Sequence, residues 1–410
     1  MIKRKFFGNF LSLGIMQGLN YLLPILMIPF LVSKIGLSNV GVIATISAVF
    51  AYVQLVIDYG FSLTATRNIC HNGYEHNDAS EITSSVLIIK LLFSLLFSLP
   101  ILIIYYFNDY VQNNSLIILF TFLIIISQSL FPSWHFQAAE KMHFITLSNA
   151  FPKLLAFTLI FLIVKSPEDT WKVQALAFVG TFLSLCISMF FLITKFNFKF
   201  KISLPNIKRE LKDGFEIFCA RLASGLYKNF NVIILGVFTT TVYVGAYSIA
   251  ERIVRSVQTI QNVAGDVLYP IFSKRKHTST DFFKYNFYKY LPAIVISYSL
   301  GASAIFFMSP SISKLMAKES WEIVNECLRI MSLVFLFGGL NYIIAILGLA
   351  SSGYSKDFAK CVVMTGVINV FIATLMSIWL GFIGASASLV LSELILLILV
   401  SSRAKKTGVL

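Results

Sequence analysis

The sequence predicts an all-α integral membrane protein with about twelve transmembrane helices in two sets of six. Three observations carry this: the composition, the length of the apolar runs, and the distribution of positive charge between them. Of the 410 residues, 57% are hydrophobic and only 13% are charged, against about 45–50% and about 25% in an ordinary soluble domain. Mean hydropathy is +0.80. That balance excludes a soluble enzyme, a nucleic-acid-binding protein and a disordered chain. A helix that crosses a bilayer takes about 20 apolar residues. The 410 residues therefore hold about twelve such helices with their loops, and no large soluble domain.

The apolar runs fall near residues 9–32, 40–58, 84–107, 115–137, 144–164, 173–194, 213–238, 242–270, 289–308, 325–349, 358–380 and 383–402. Their length and the lack of strict alternation argue against an outer-membrane barrel. The first run follows Met1-Ile2-Lys3-Arg4-Lys5, which has the charge of a signal-peptide start. The run is too long for a signal peptide, so an uncleaved first span is expected. Pro24, Pro29, Pro100, Pro132, Pro152, Pro270 and Pro292 lie inside spans or at their rims. Membrane helices tolerate such kinks where they pack together or line a cavity.

Lys and Arg number 33 against 19 Asp and Glu, a net charge of +14. With the N-terminus in the cytoplasm, 21 of the 33 fall in cytoplasmic segments, five in external segments and seven within spans. This is the positive-inside bias, and it predicts an even number of spans with both termini cytoplasmic. The long basic loop divides the chain into a six-helix lobe at 1–198, a basic linker at 199–212 and a second six-helix lobe at 213–410. A faint repeat agrees. Ile2-Lys3-Arg4 recurs as Ile207-Lys208-Arg209, and Val40-Gly41 as Val244-Gly245, offsets of 205 and 204 residues. Parallel halves of this kind occur in transporters. Cys70, Cys186, Cys219, Cys327 and Cys361 form no CxxC and are expected as free thiols. Cys70-His71 with His76 matches no zinc spacing, so no metal site is expected.

A Lys or Arg at the centre of a membrane helix costs roughly 2.5–3.5 kcal/mol on insertion scales, and normally faces a cavity or a partner. Arg221, Ser224, Lys228 and Asn231 share one face of the seventh span. Tyr247, Glu251, Arg255, Gln258 and Asn262 share one face of the eighth, with Arg252 beside them. Counting the helical rise from each end brings Lys228 and Arg255 to one depth near mid-bilayer. Two such stripes predict a wet, cationic cavity. Arg offers a planar fork to phosphate oxygens and Lys a point charge. Glu251 and Arg255, at i and i+4, can also neutralise each other.

Further basic candidates are Lys90, with Ser94 and Ser98 on the third span, and Lys153, with Asn149 on the fifth; snorkelling competes at both. Asp58 closes the second span close to Arg67. Glu326 and Arg329 read as a structural pair near the outer rim. Glu393 has no partner on its own helix and is a proton-carrier candidate. Tyr227, Tyr243 and Tyr247 can stack on sugar rings or simply pack.

Asn20-Tyr21, Pro24, Pro29, Lys34-Ile35-Gly36 and Val40-Gly41, then Asp58-Tyr59-Gly60-Phe61 and Thr66-Arg67, resemble the opening of the Wzx-type O-antigen and polysaccharide flippases. Phe131-Pro132-Ser133-Trp134-His135-Phe136-Gln137, followed by Glu140-Lys141-Met142, is similar to that family's segment after its fourth span. His135 replaces an expected apolar residue there, and Ala138 an expected glycine. Leu226-Tyr227-Lys228-Asn229, Val244-Gly245-Ala246-Tyr247 and Tyr269-Pro270 are similar to its seventh and eighth spans.

The resemblance covers most of the chain. It implies a MATE-like fold, two six-helix lobes around a central cavity, in the bacterial inner membrane. It also implies the passage of undecaprenyl-diphosphate-linked oligosaccharide from the inner to the outer leaflet. Carried onto these positions, Arg221, Lys228 and Arg255 would face the diphosphate and sugar, and Asp58 and Arg67 would belong to a cytoplasmic gate.

No GxxxxGK[ST] is present, so the expected energy source is an H⁺ or Na⁺ gradient, with Glu251 or Glu393 as the coupling group and no other cofactor. Expected partners are the lipid-linked oligosaccharide, membrane lipid and the polysaccharide polymerase machinery, with no nucleic acid. An ion-coupled multidrug exporter of the same fold predicts a net acidic cavity, whereas the stripes carry four basic residues and one acid. A membrane polysaccharide polymerase or glycosyltransferase calls for a sizeable external loop or an acidic motif, and no DxD occurs.

Overall fold

Lipid solvates apolar side chains but not peptide groups, so a chain of this composition has to satisfy its backbone within helices. The computed structural model describes residues 2–71, 76–273 and 279–410; the side chains of 2–17, 19–21, 76, 220, 223, 224, 226–228, 260, 262–271, 273 and 279–282 lie outside the described set. Among the described residues every regular element is a helix. In order these are α1 (Ile2–Asp58), α2 (Phe61–His71), α3 (His76–Phe107), α4 (Asp109–Asn113), α5 (Ser115–Leu130), α6 (Ser133–Ala138), α7 (His143–Ile163) and α8 (Thr170–Phe196). There follow α9 (Leu204–Phe238), α10 (Thr241–Ser273), α11 (Ser279–Ala317), α12 (Trp321–Tyr342), a π-helical segment (Ile343–Ala350) and α13 (Ser355–Lys406).

Among the described residues seven stretches are long and apolar enough to cross a membrane, as in a multi-pass membrane protein. Three of them, Leu22–His71, Phe283–Ala350 and Ser355–Lys406, run to 50, 68 and 52 residues. At about 1.5 Å per residue each would extend at least ~75 Å, more than twice the ~30 Å hydrocarbon core. Each is interrupted: at Gly36, at the 3₁₀ turn Lys318–Ser320, and at Gly381. Those breaks fall in the gaps between the first and second, ninth and tenth, and eleventh and twelfth apolar runs. Gly36 takes φ 81° and ψ 159°, a conformation that a Cβ would strain and that glycine adopts freely.

The surface is inverted relative to a soluble protein. Phe107, Phe307 and Trp379 are 86%, 77% and 82% exposed. Serines such as Ser84, Ser188, Ser386, Ser388 and Ser392 are buried between helices. In lipid an outward Phe costs nothing, and small hydroxyl residues let helices approach closely.

The chain forms two units. The first comprises Met1–Phe30 and Ile46–Leu222, the second Leu31–Thr45 and Ala223–Leu410. In the first, Phe61, Ile69, Ile82, Val86 and Trp134 form one core and Phe136, Leu192 and Phe196 a smaller one. In the second, Phe283, Phe287, Leu347, Leu349, Val400 and Val409 pack together. The Leu31–Thr45 turn belongs to that second unit, where the Ser38 and Thr241 hydroxyls lie 2.6 Å apart.

Candidate transport site

Three of the charged groupings in the first unit involve residues singled out by the sequence. Lys90 is 2% exposed on α3. Its Nζ donates to Asp58 Oδ1 at 2.9 Å and to the Ser129 carbonyl at 2.7 Å, and it stands 4.5 Å above the Trp134 ring. Asp58 therefore pairs with Lys90 at the end of α1, not with Arg67. The aromatic face comes from α6, the Phe131–Gln137 segment singled out in the sequence. Trp134, His135 and Phe136 are all buried there, and the His135 ring lies 2.9 Å from the Thr83 hydroxyl. The Thr83 hydroxyl gives the buried polar ring a partner.

The second grouping joins α2 to the start of α9. Arg67 Nη2 donates to Asp213 Oδ2 at 3.3 Å, and Arg209 approaches the same oxygen at 3.9 Å. The Asn68 amide bridges two acids, Glu210 Oε1 at 2.6 Å and Asp213 Oδ2 at 3.2 Å. Glu210 is 1% exposed. Burial pushes its carboxyl above the usual carboxylate range, and the neighbouring Asp213 charge adds to the rise. The sequence reading missed Asn68, Glu210 and Asp213. The only signal for the two acids was their spacing of three residues, Glu210 within the basic linker and Asp213 just past it.

The third is Arg221, half-buried, whose Nη2 donates to the Ser62 hydroxyl at 3.0 Å. Lys153, also half-buried, lines an apolar cavity of about 250 Å³ in this unit with Pro24, Phe157 and Gly180.

In the second unit Arg255 donates through Nε and Nη2 to Glu251 Oε1, at 2.8 and 2.7 Å. The i, i+4 pair forms, with the Arg255 side chain 29% exposed and that of Glu251 11%. Arg252 is exposed, and Gln258 reaches the Val334 carbonyl at 3.3 Å. Asn231 and Tyr247 lie in the packed interior, 2% and 0% exposed. The Asn231 amide donates to the Tyr247 hydroxyl, the Ser388 hydroxyl and the Ala385 carbonyl. Its own oxygen accepts from Asn369, whose oxygen in turn accepts from Ser392 at 2.6 Å. Glu393 is 6% exposed and accepts from the Asn341 amide at 2.7 Å. Lys228, Ser224 and Asn262 lie outside the described side chains.

Arg329 lies 5.3 Å over the Phe306 ring, and no ion pair joins it to Glu326. The expected pair does not form, because an aromatic face on α11 takes the guanidinium instead.

Cations set among serines, rings and carboxylates along membrane-crossing helices fit a transporter-type architecture. The sequence pattern described as "Polysaccharide biosynthesis protein" matches residues 6–276, and the chain belongs to that family. It is 27% identical to a "Putative O-antigen transporter" of Escherichia coli (strain K12) over 404 residues, covering 94% of this chain and 93% of the relative. A Shigella dysenteriae protein of the same description is 24% identical over 397 residues, covering 95% and 98%. Among solved structures, the lipid II flippase MurJ in an inward closed conformation superposes with TM-score 0.69 at 16% identity, covering 96% of this chain and 87% of that one. An inward-facing multidrug resistance MATE family transporter of the MOP superfamily gives 0.71 at 13% identity, covering 94% and 97%. The fold is MATE-like, as the sequence implied.

Proposed function

We propose that this chain moves an undecaprenyl-diphosphate-linked oligosaccharide, of the O-antigen repeat type, from the inner to the outer leaflet of the bacterial inner membrane, with both termini cytoplasmic. The observation that carries the reading is the near-full-length likeness to two proteins, one in each of two organisms, described as "Putative O-antigen transporter". The physical task is to carry a charged, sugared headgroup through hydrocarbon that cannot solvate it. Arg221 and Arg255 keep exposed area on their units and present planar forks suited to phosphate oxygens. Lys90 is closed by Asp58 and acts on this reading as a structural cation.

Exposure of the headgroup alternates between the two leaflets, the polyprenyl tail stays in lipid, and an H⁺ or Na⁺ gradient supplies the energy through Glu251 or Glu393. Polymerase machinery receives the product on the outer face. A transporter of this kind makes and breaks no covalent bond.

The test is complementation of a strain lacking the gene, read by surface polysaccharide and by accumulation of lipid-linked repeat units on the cytoplasmic face. The unaltered gene restores the surface polymer. Arg221→Ala and Arg255→Ala leave protein in the membrane and abolish the polymer. Full activity of both variants removes the cationic-cavity mechanism. Drug resistance on overexpression with no effect on polysaccharide points instead to a multidrug exporter, and short chains with intact transport point to a polymerase.

A further inference from the structure

On the second unit α11 and α12 enclose a groove of about 600 Å³, lined by Ser299, Ser303, Phe306, Arg329, Leu333 and Leu336 among others. That volume lies inside the ~300–1,000 Å³ range of ligand pockets. The groove is open at its rim, where Phe307 is 77% exposed and Leu333 44%. Ser309 and Asn325 tie its two walls together at 2.7 Å.

Lys314 stands 4.6 Å over the Trp321 ring at the turn between the helices. A Trp with a Lys over it marks the boundary between headgroups and hydrocarbon. Arg329 is eight residues further in, about 12 Å deeper at the helical rise. Side chains on a helix lean toward its N-terminus, here the Trp321 end, so the guanidinium reaches back toward the boundary. Glu326 lies one turn nearer that end on the same side and is exposed, as Arg329 is. Among the described residues neither forms an ion pair.

One cation with one acid above it, over an apolar trough, matches a zwitterionic headgroup. We propose that the groove binds a phospholipid carrying a primary ammonium, of the phosphatidylethanolamine type. The phosphate meets Arg329, the ammonium meets Glu326, and one acyl chain runs along Phe306, Leu333 and Leu336. A diphosphate, with more negative charge, would call for a second cation, and the lining of the groove supplies none. The inference is independent of what the protein transports.

The test is native mass spectrometry of the purified full-length protein incubated with phosphatidylethanolamine, phosphatidylglycerol or phosphatidylcholine. The unaltered protein retains phosphatidylethanolamine about tenfold better than either of the others, the effect of one charge-assisted hydrogen bond. Arg329→Ala loses all retention. Arg329→Lys keeps it, which separates loss of the cation from loss of the fold. Glu326→Gln loses the preference for phosphatidylethanolamine over phosphatidylglycerol and still binds lipid phosphate. Equal retention of the three lipids by the unaltered protein overturns the proposal. So does a preference that survives both Arg329→Ala and Glu326→Gln, or tighter binding of a polyprenyl diphosphate in the same groove.

Discussion

Gly41 and Gly245 pass one another backbone to backbone. A Cβ on Gly41 would lie 2.9 Å from the Gly245 nitrogen, and one on Gly245 would lie 3.2 Å from the Gly41 nitrogen. These are the glycines of the two Val-Gly pairs set 204 residues apart. The two Val-Gly pairs that match in sequence therefore touch in the structure. Close approach of this kind is how small residues hold membrane helices together.

Gly245→Leu should push the Leu31–Thr45 turn off α10. Overpacking of a tight contact typically costs about 1–3 kcal/mol, so a lower melting temperature in detergent is expected. An unchanged melting temperature would mean that the backbone yields without penalty.

Ser38 and Thr241 sit at the same contact, and the paired substitution Ser38→Cys with Thr241→Cys should form a disulfide under mild oxidation. If transport requires this contact to part, surface polysaccharide falls on oxidation and recovers with reductant. A cross-linked protein of full activity would show that the contact stays closed throughout the cycle.

Lys90 and Asp58 are bonded but unequal, with side-chain exposures of 3% and 28%. Asp58→Asn leaves a buried ammonium without its counter-charge, an error that costs about 3–5 kcal/mol in such settings. Lys90→Met leaves a carboxylate that water still reaches, and should cost less. The double variant should recover much of the loss. Thermal unfolding of the three proteins orders them, and equal losses in both single variants would contradict the asymmetry.

Glu210 carries a pH prediction. Its folded carboxyl titrates above the ordinary range, so the folded chain holds that proton more tightly than the unfolded chain does. The contribution is complete at and below the ordinary carboxylate pKa. It declines as pH rises toward the raised folded value and is level beyond it. Glu210→Gln removes the charge burial, so its melting temperature should gain on that of the unaltered protein as pH rises from about 4. A gain on acidification would reverse the sign and the argument.

Asn369 sits between Asn231 and Ser392 in a dry interior. Asn369→Leu strands the Asn231 side-chain oxygen, while the Ser392 hydroxyl keeps its bond to the Ser388 carbonyl. About 1–3 kcal/mol per orphaned group is expected, read as a drop in melting temperature. Ser392→Ala removes the hydroxyl with both of its bonds, to Asn369 and to the Ser388 carbonyl, but leaves the Asn231–Asn369 bond in place and should do less.

The sequence made the helices legible because apolar run length is a one-dimensional property. Gly36 and Gly381 were findable for the same reason, as interruptions in such runs. The i, i+4 pair of Glu251 and Arg255 was legible because helical spacing alone brings them together. Partners from separate helices were not. Nothing local says that Asp58 meets Lys90, that Arg67 meets Asp213, or that Arg329 prefers Phe306 to Glu326. The stripe through Tyr247 also misleads by itself. A polar face on a membrane helix can look into a cavity or into a neighbouring helix with matching amides, and the amides of Asn231 and Asn369 stand 138 positions apart.

The π-helical segment Ile343–Ala350 continues α12 directly past Asn341, the residue that holds Glu393. Its wider i→i+5 turn stores a surplus residue within an otherwise ordinary helical path. Elsewhere in a membrane helix, losing one residue swings everything downstream by about 100°. Here a single-codon deletion can be absorbed by tightening the wide turn to an ordinary one. Asn341 on one side and Ser351 on the other then keep their headings, which makes this stretch a natural place for related chains to differ in length.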